Sequence, residues 1–566
     1  MKKEDIEYLA LEGGGGKGVA YLGAIVALED LGVLPISKKM NQTKVNAEEK
    51  SVTLVKRNRQ IRGISGSSAG AITGLCLAMG MNSNELVNVL TEKTIVWGEY
   101  QNIYNSFFDY PFESRNYREI NKSKKVVSRG SIVKNYKSQE NIIYYSRVIN
   151  DTDGSTQEEH FNATERKIFE DQGVVTNIIK GIIKNNIEIT NEIVGAMFGF
   201  PRLKTVSGVR DDFKFDIHLK GLVNMGGLFP GMIPRDFIRY LLEKNIRNIE
   251  DFDKKVTEYN NTMWIKNNQE DMDFFNLHEE ELKNPSDTLK REIRAINSKY
   301  FYSYIRKSEL YNLTFEQFYF LTGVDFVVTG TNVTNHASLY FSKERTPDFP
   351  VADAVVISMN LPGIYPPVWN KAKVFQDQSQ FYLRRKKIFE KKDNNNYEYR
   401  AYNKMYRGQY IDGGVMNNLP LHAFDHIEKK REEVIDTNIF KYYIDPRNPI
   451  RNTRFNNNVM GLRLTEVKRS RDGVVDKEDD FGLSILGKTL FAALYYSEDG
   501  KILSRTEKRA CVDLLTYQLS TTNFAPKRGQ VKTAVQEAYT SAYRFITKIR
   551  KSAPNRLSSM IEKWDE

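Results

Sequence analysis

Apolar residues cluster in a short strand-length run at Ile6 to Leu11, which meets the glycine cluster Gly13-Gly14-Gly15-Gly16-Lys17-Gly18. From Val19 the spacing changes to that of a helix: Val19, Leu22, Ile25, Val26, Leu28 and Leu31, with Gly32 as the stop. Strand, glycine loop and helix in that order open an α/β sheet. The pattern repeats near Gln60 to Ser65, a strand that runs into Gly66-Ser67-Ser68-Ala69-Gly70. The helix that follows carries Ile72, Leu75, Cys76 and Met79 on one face. Phe326 to Gly330 and Ser338 to Phe341 read as further strands. Apolar pairs recur at helical spacing over residues 174–198, and the last 80 residues are helical in pattern, most clearly from Ala534 to Ile549. Polar stretches interrupt this frame. Residues 35–58 read as an inserted hairpin, 99–170 as an insertion or cap rich in Asn, Tyr, Lys and Ser, 236–310 as polar and mostly helical, and 369–408 as a charged insertion. No internal repeat is visible.

A length of 566 residues, 40% hydrophobic and 27% charged, fits either several units or one large core with insertions. Lys and Arg total 83 against 72 Asp and Glu, a net charge of +11. That bias suits an anionic surface, membrane or nucleic acid, and does not choose between them. Arg115 to Lys137 and Arg384 to Lys387 are the densest basic runs. Two cysteines exclude a disulfide scaffold. No run reaches the ~18 apolar residues of a membrane span. Acidic residues interrupt the N-terminal stretch where a secretory signal would be apolar.

Three places carry chemistry. Gly66-x-Ser68-x-Gly70 fits a nucleophile elbow, in which a strained strand-to-helix turn projects the serine hydroxyl and small neighbours relieve the crowding. The pattern alone also fits an ordinary Gly/Ser turn. Gly13 to Gly18 fits a dinucleotide loop, an oxyanion hole or a plain turn. The dinucleotide reading wants an acidic residue at the end of the next strand, and the candidate strand Val52 to Val55 ends in Lys56 and Arg57. Ser68 needs a proton acceptor. None of His160, His218, His278, His336, His422 and His426 has a local setting that marks it as catalytic. Asp412 follows Gln409-Tyr410-Ile411 and precedes Gly413-Gly414, where an ordinary Asp-Gly turn is the commoner local reading.

Together the three places resemble the patatin-like phospholipases. The resemblance rests on Glu12-Gly13-Gly14-Gly15-Gly16-Lys17-Gly18, Gly66-Ser67-Ser68-Ala69-Gly70 and Asp412-Gly413-Gly414. The segment Pro350 to Val368 and Asn418-Leu419-Pro420 extend it. It covers residues 6–80 and roughly 312–425 well and the span between poorly. Glu12 stands where many members carry Asp.

The resemblance implies a three-layer α/β/α sandwich with large insertions and a helical C-terminal region. On this reading residues 1–430 form the catalytic domain, with insertions near 35–58, 99–310 and 369–408. Residues 431–566 form a mostly helical region packed on or extending it. The implied activity is phospholipid acyl hydrolysis of the phospholipase A type. Ser68 is then the nucleophile, Asp412 the base, and the amides around Gly14, Gly15 and Gly16 the oxyanion site. Lys17 beside them holds the loop or meets anionic lipid. No metal or cofactor is implied. The expected partners are a phospholipid surface, with an activating protein or small molecule in addition, and no nucleic acid. The expected location is cytoplasmic with peripheral membrane association, and export by a specialised machine would leave no readable sign. Two other readings stand beside this one. One is a histidine-assisted hydrolase using His422 or His426. The other is a non-catalytic nucleotide-binding or regulatory protein using the Gly13–Gly18 loop.

Overall fold

The computed structural model describes residues 1–39, 60–91, 231–264, 304–375, 396–428, 453–465, 503–517 and 526–564 with few interruptions. It also describes short strands at 42–46, 51–56, 93–96, 99–102, 142–143 and 434–436 and a few isolated positions. The basic runs at 115–137 and 384–387, the helix expected at 174–198, and His160, His218 and His278 lie outside the described residues.

A nine-stranded mixed sheet organises the molecule. Its strands are β1 (Tyr8–Leu11), β2 (Gly63–Gly66), β3 (Ile142–Ile143), β4 (Asp325–Asn332), β5 (Ala337–Phe341), β6 (Val368–Asn370), β7 (Gly408–Ile411), β8 (Val459–Thr465) and β9 (Cys511–Leu515). They run in the order β9-β8-β1-β2-β4-β7-β6-β3, with β5 also paired to β4. From β9 to β4 the pairing is parallel; β7, β6, β3 and β5 join antiparallel. Every residue of β1 and β2 is buried, as parallel strands covered on both faces must be. The residues of each are apolar or small for that reason.

Six helices position the site: α1 (Tyr21–Asp30), α2 (Ala69–Ala78), α3 (Ser83–Thr91), α4 (Met232–Ile246), α5 (Val351–Ser358) and α6 (Arg528–Thr547). Helix α2 packs on β1, β2 and β4, and α5 packs on β4 and α4. Helix α6 packs along α1 and over β9. This is the α/β sandwich expected, and 42–46 with 51–56 forms the expected hairpin. No helix among the described residues is long and apolar enough to cross a membrane.

Two expectations need correction. The region after residue 430 is not simply helical. β8 pairs directly with β1, and β9 pairs with β8, so the chain's last part supplies one edge strand of the sheet and the strand next to it. Cys511 therefore starts a strand. The two strands are only seven and five residues long, and Arg463 and Asp513 interrupt their apolar residues, so neither shows a periodicity that separates strand from helix, which is why the reading failed there. The second correction concerns 99–310, read wholly as insertion. Helix α4 belongs to the core: Phe237, Ile238, Leu241, Leu242 and Ile246 are all buried. Its charged residues disguised it. Arg239 is fully buried and donates to Asp353 of α5 at 2.6 Å, an ion pair that makes burial of both groups tolerable.

Candidate active site

β1 and β2 lie side by side and release their following loops at the same end of the sheet. Ser68 sits at the sharp turn between β2 and α2, with φ 50° and ψ −120°. A non-glycine residue in that conformation is held by its surroundings. The flanking glycines are required by close approach. A Cβ on Gly66 would stand 2.4 Å from the Gly70 carbonyl oxygen, and one on Gly70 would stand 2.3 Å from that of Leu11.

The turn aims the Ser68 hydroxyl at Asp412, which follows β7. Ser68 Oγ donates to Asp412 Oδ2 at 2.6 Å. The other carboxylate oxygen accepts the Gly414 N–H at 2.6 Å. Asp412 thus caps its own Asp-Gly turn and faces Ser68 as well; the two local readings of this residue are compatible. It is fully buried. Burial pushes its carboxyl up to about 7, against the opposing pull of the hydrogen bonds from Ser68 and Gly414.

The glycine loop comes alongside. Gly13 donates its N–H to the Asn418 carbonyl at 2.9 Å, and a Cβ on Gly13 would lie 3.1 Å from that of Ser68. The chain then enters a short 3-10 helix, Gly15–Ala20. A Cβ on Gly18 would stand 2.9 Å from that of Ala69, so this helix crosses tightly over the elbow. Lys17 is buried, and its N–H donates to the Gly14 carbonyl at 3.0 Å.

Glu12 had no expected role. Its buried carboxylate accepts the Leu464 N–H of β8 through one oxygen and Asn418 Nδ2 at 3.3 Å through the other. It braces the glycine loop against the loop after Asp412. A carboxylate beside a glycine run was the available signal, but its partners lie more than 400 positions away.

A mostly apolar cleft, partly open to solvent, leads away from Ser68. Leu22, Ile25, Ile72, Cys76, Leu86, Leu90 and Phe237, drawn from α1, α2, α3 and α4, are among its walls, together with Gly15 of the glycine loop. Cys76 is buried and its thiol is pushed up to about 12 by desolvation. His422 lies elsewhere. Its two ring nitrogens are each 2.7 Å from a carboxylate, Asp425 and Glu507. The hydrogen bond with Asp425, foremost among these contacts, raises its pKa. Among the described residues no cluster of three or more His, Cys, Asp or Glu could hold a metal ion.

The family model for patatin-like phospholipase matches residues 9–425. A search of curated protein sequences finds no match. Among solved structures the chain is similar to VipD from Legionella pneumophila, at 15% identity and a TM-score of 0.32, covering 97% of this chain and 68% of that one.

Proposed function

The chain belongs to the patatin-like phospholipase family, and on that premise we propose that it cleaves acyl esters of membrane phospholipids through a Ser68–Asp412 dyad. The observation that carries this reading is the 2.6 Å hydrogen bond between the two side chains, with Ser68 lining an apolar cleft. Asp412 accepts the Ser68 proton as Oγ attacks the ester carbonyl. The tetrahedral oxyanion meets backbone N–H groups of the glycine loop around Gly14, Gly15 and Gly16 and the helix start behind Ser68. The intermediate collapses, and the departing lysolipid alkoxide takes the proton from Asp412. Water, deprotonated by the same carboxylate, then releases the fatty acid and restores Ser68. A carboxylate held near 7 is a stronger base than an exposed one, which suits a dyad with no histidine.

Both alternatives lose ground to named contacts. His422 is engaged on both ring nitrogens by Asp425 and Glu507 rather than by Ser68 or Asp412, and the side chain of His426, the other histidine of that reading, lies outside the described residues. The dinucleotide reading needs an acidic residue after the next sheet strand. That strand is β2, which ends in the Ser68 turn, while Val52 to Val55 lies in the separate hairpin.

The proposed partner is a phospholipid surface, met peripherally by a chain of net charge +11, with an activating factor as a further part of the same reading. The test is fatty-acid release from mixed phospholipid vesicles, with and without cell extract, alongside labelling by a fluorophosphonate. Label on a Ser68 peptide with release in either condition supports the reading. Label elsewhere, or silence in both conditions, ends it.

The cleft follows α2 from Ser68 to Cys76, about 12 Å at 1.5 Å per residue, a span suited to an acyl chain of medium or greater length. Cys76→Trp fills the far end. Hydrolysis of long-chain esters then falls about tenfold or more, while a butyryl ester is cleaved within about threefold of the wild-type rate. Equal losses on both esters would show that the chain does not enter along α2.

A further inference from the structure

The C-terminal end of α5 and the two residues after it touch both members of the dyad through their backbones. Ser358, the last residue of α5, is fully buried and its Oγ accepts the N–H of Ser68 at 2.9 Å. Two residues on, the Asn360 carbonyl accepts the N–H of Asp412 at 2.8 Å. Asn360 is fixed in turn by its side-chain amide, which donates to the Pro366 carbonyl at 2.9 Å. Met359, between them, lines the cleft beside Ser68. One tripeptide therefore sets the separation of two loops that the sequence places 344 positions apart.

Resting on the dyad reading, we propose that Ser358 is a positioning residue of the hydrolysis, holding the Ser68 backbone in the turn that aims its hydroxyl at Asp412. The Ser68 conformation, with φ 50°, is one that an alanine or serine leaves when nothing holds it. The bond to Ser358 restrains the amide of the same residue whose hydroxyl must be aimed at Asp412. Its loss leaves a buried N–H without an acceptor and lets the turn relax toward negative φ. It also sorts the donors of the site. The Ser68 N–H is committed to Ser358 and is not among the donors that meet the oxyanion.

The prediction separates positioning from mere support. Ser358→Ala lowers kcat per fluorophosphonate-titrated site by about thirtyfold, with KM within about twofold of wild type. A loosened Ser68–Asp412 bond withdraws a contact that holds the Asp412 pKa down, so the acid limb of the kcat profile moves to higher pH. Ser358→Thr and Ser358→Val form a second, nearly isosteric pair that differs in the hydroxyl alone. The Thr variant retains at least about tenfold more activity per titrated site than the Val variant. The proposal is overturned if the Ala variant turns over within twofold of wild type per site, if its acid limb does not move, or if the Thr and Val variants are equal. If Ser68→Ala itself retains activity, the dyad reading falls, and that outcome is independent of the Ser358 comparison.

Discussion

Asp412→Asn lowers fatty-acid release from phospholipid vesicles by about a thousandfold or more, and Ser68→Ala does the same. Residues that act as one unit lose nearly the whole rate when either is removed. In the wild type kcat/KM rises with pH and levels off above about 7, because the base acts only when ionised and burial holds its carboxyl near that value. Below the limb the rate falls about tenfold per pH unit. A profile flat down to pH 5 would exclude Asp412 as the base. Stability moves the opposite way. The folded pKa of Asp412 lies above its unfolded value, so its protonation favours the folded state, and this contribution is fully present below the unfolded pKa. It is lost as pH rises from about 4 through about 7. Asp412→Asn escapes that loss. It melts above wild type at pH 8, and the gap narrows toward pH 4. Melting curves followed by circular dichroism at the two pH values measure it. An inactive variant with raised stability is the expected signature of a carboxylate buried for its chemistry.

Deletion of residues 429–566 abolishes cooperative unfolding and activity together, although the family match ends at residue 425. β8 is the immediate parallel neighbour of β1, and the glycine loop hangs from the end of β1. Without β8, β1 becomes an exposed, wholly apolar edge. Glu12 also loses the Leu464 N–H that anchors it. Helix α6 leaves the buried face of α1 uncovered. The α1–α6 contact can be tested by one substitution. Gly23 of α1 lies so near α6 that a Cβ would stand 1.9 Å from the Val535 carbonyl oxygen. Backbone cannot yield as a flexible side chain can, so Gly23→Ala costs about 2 kcal/mol or more. A soluble, cooperatively melting truncation, or a Gly23→Ala variant with unchanged melting temperature, would refute this account of the C-terminal part.

What was legible in the sequence was local. The glycine run after an apolar strand and the small residues around Ser68 state their geometry within a dozen positions. Gly66 is small because the Gly70 carbonyl oxygen lies against it, a crowding internal to the elbow, whereas Gly70 is small because the Leu11 carbonyl oxygen of the neighbouring strand β1 lies against it. Asp412 was harder, because its Asp-Gly-Gly context also describes an ordinary turn. The family resemblance, rather than spacing, singled it out. Tertiary structure decided what depends on distant partners. Nothing near Glu12 announces that its carboxylate will tie β8 to the loop after Asp412. Nothing near Ser358 announces that its hydroxyl will hold the nucleophile's amide. Helix α4 read as a polar insertion because a charge can be buried only against a partner, and the partner of Arg239 is Asp353, 114 positions on. The strands β8 and β9 were missed because short apolar runs have no period of their own. The sequence by itself determined the chemistry-bearing turns, where sterics act between near neighbours. The sheet edge, the cleft and the pairing of Ser68 with Asp412 were decided by packing, which brings together side chains that no local pattern relates.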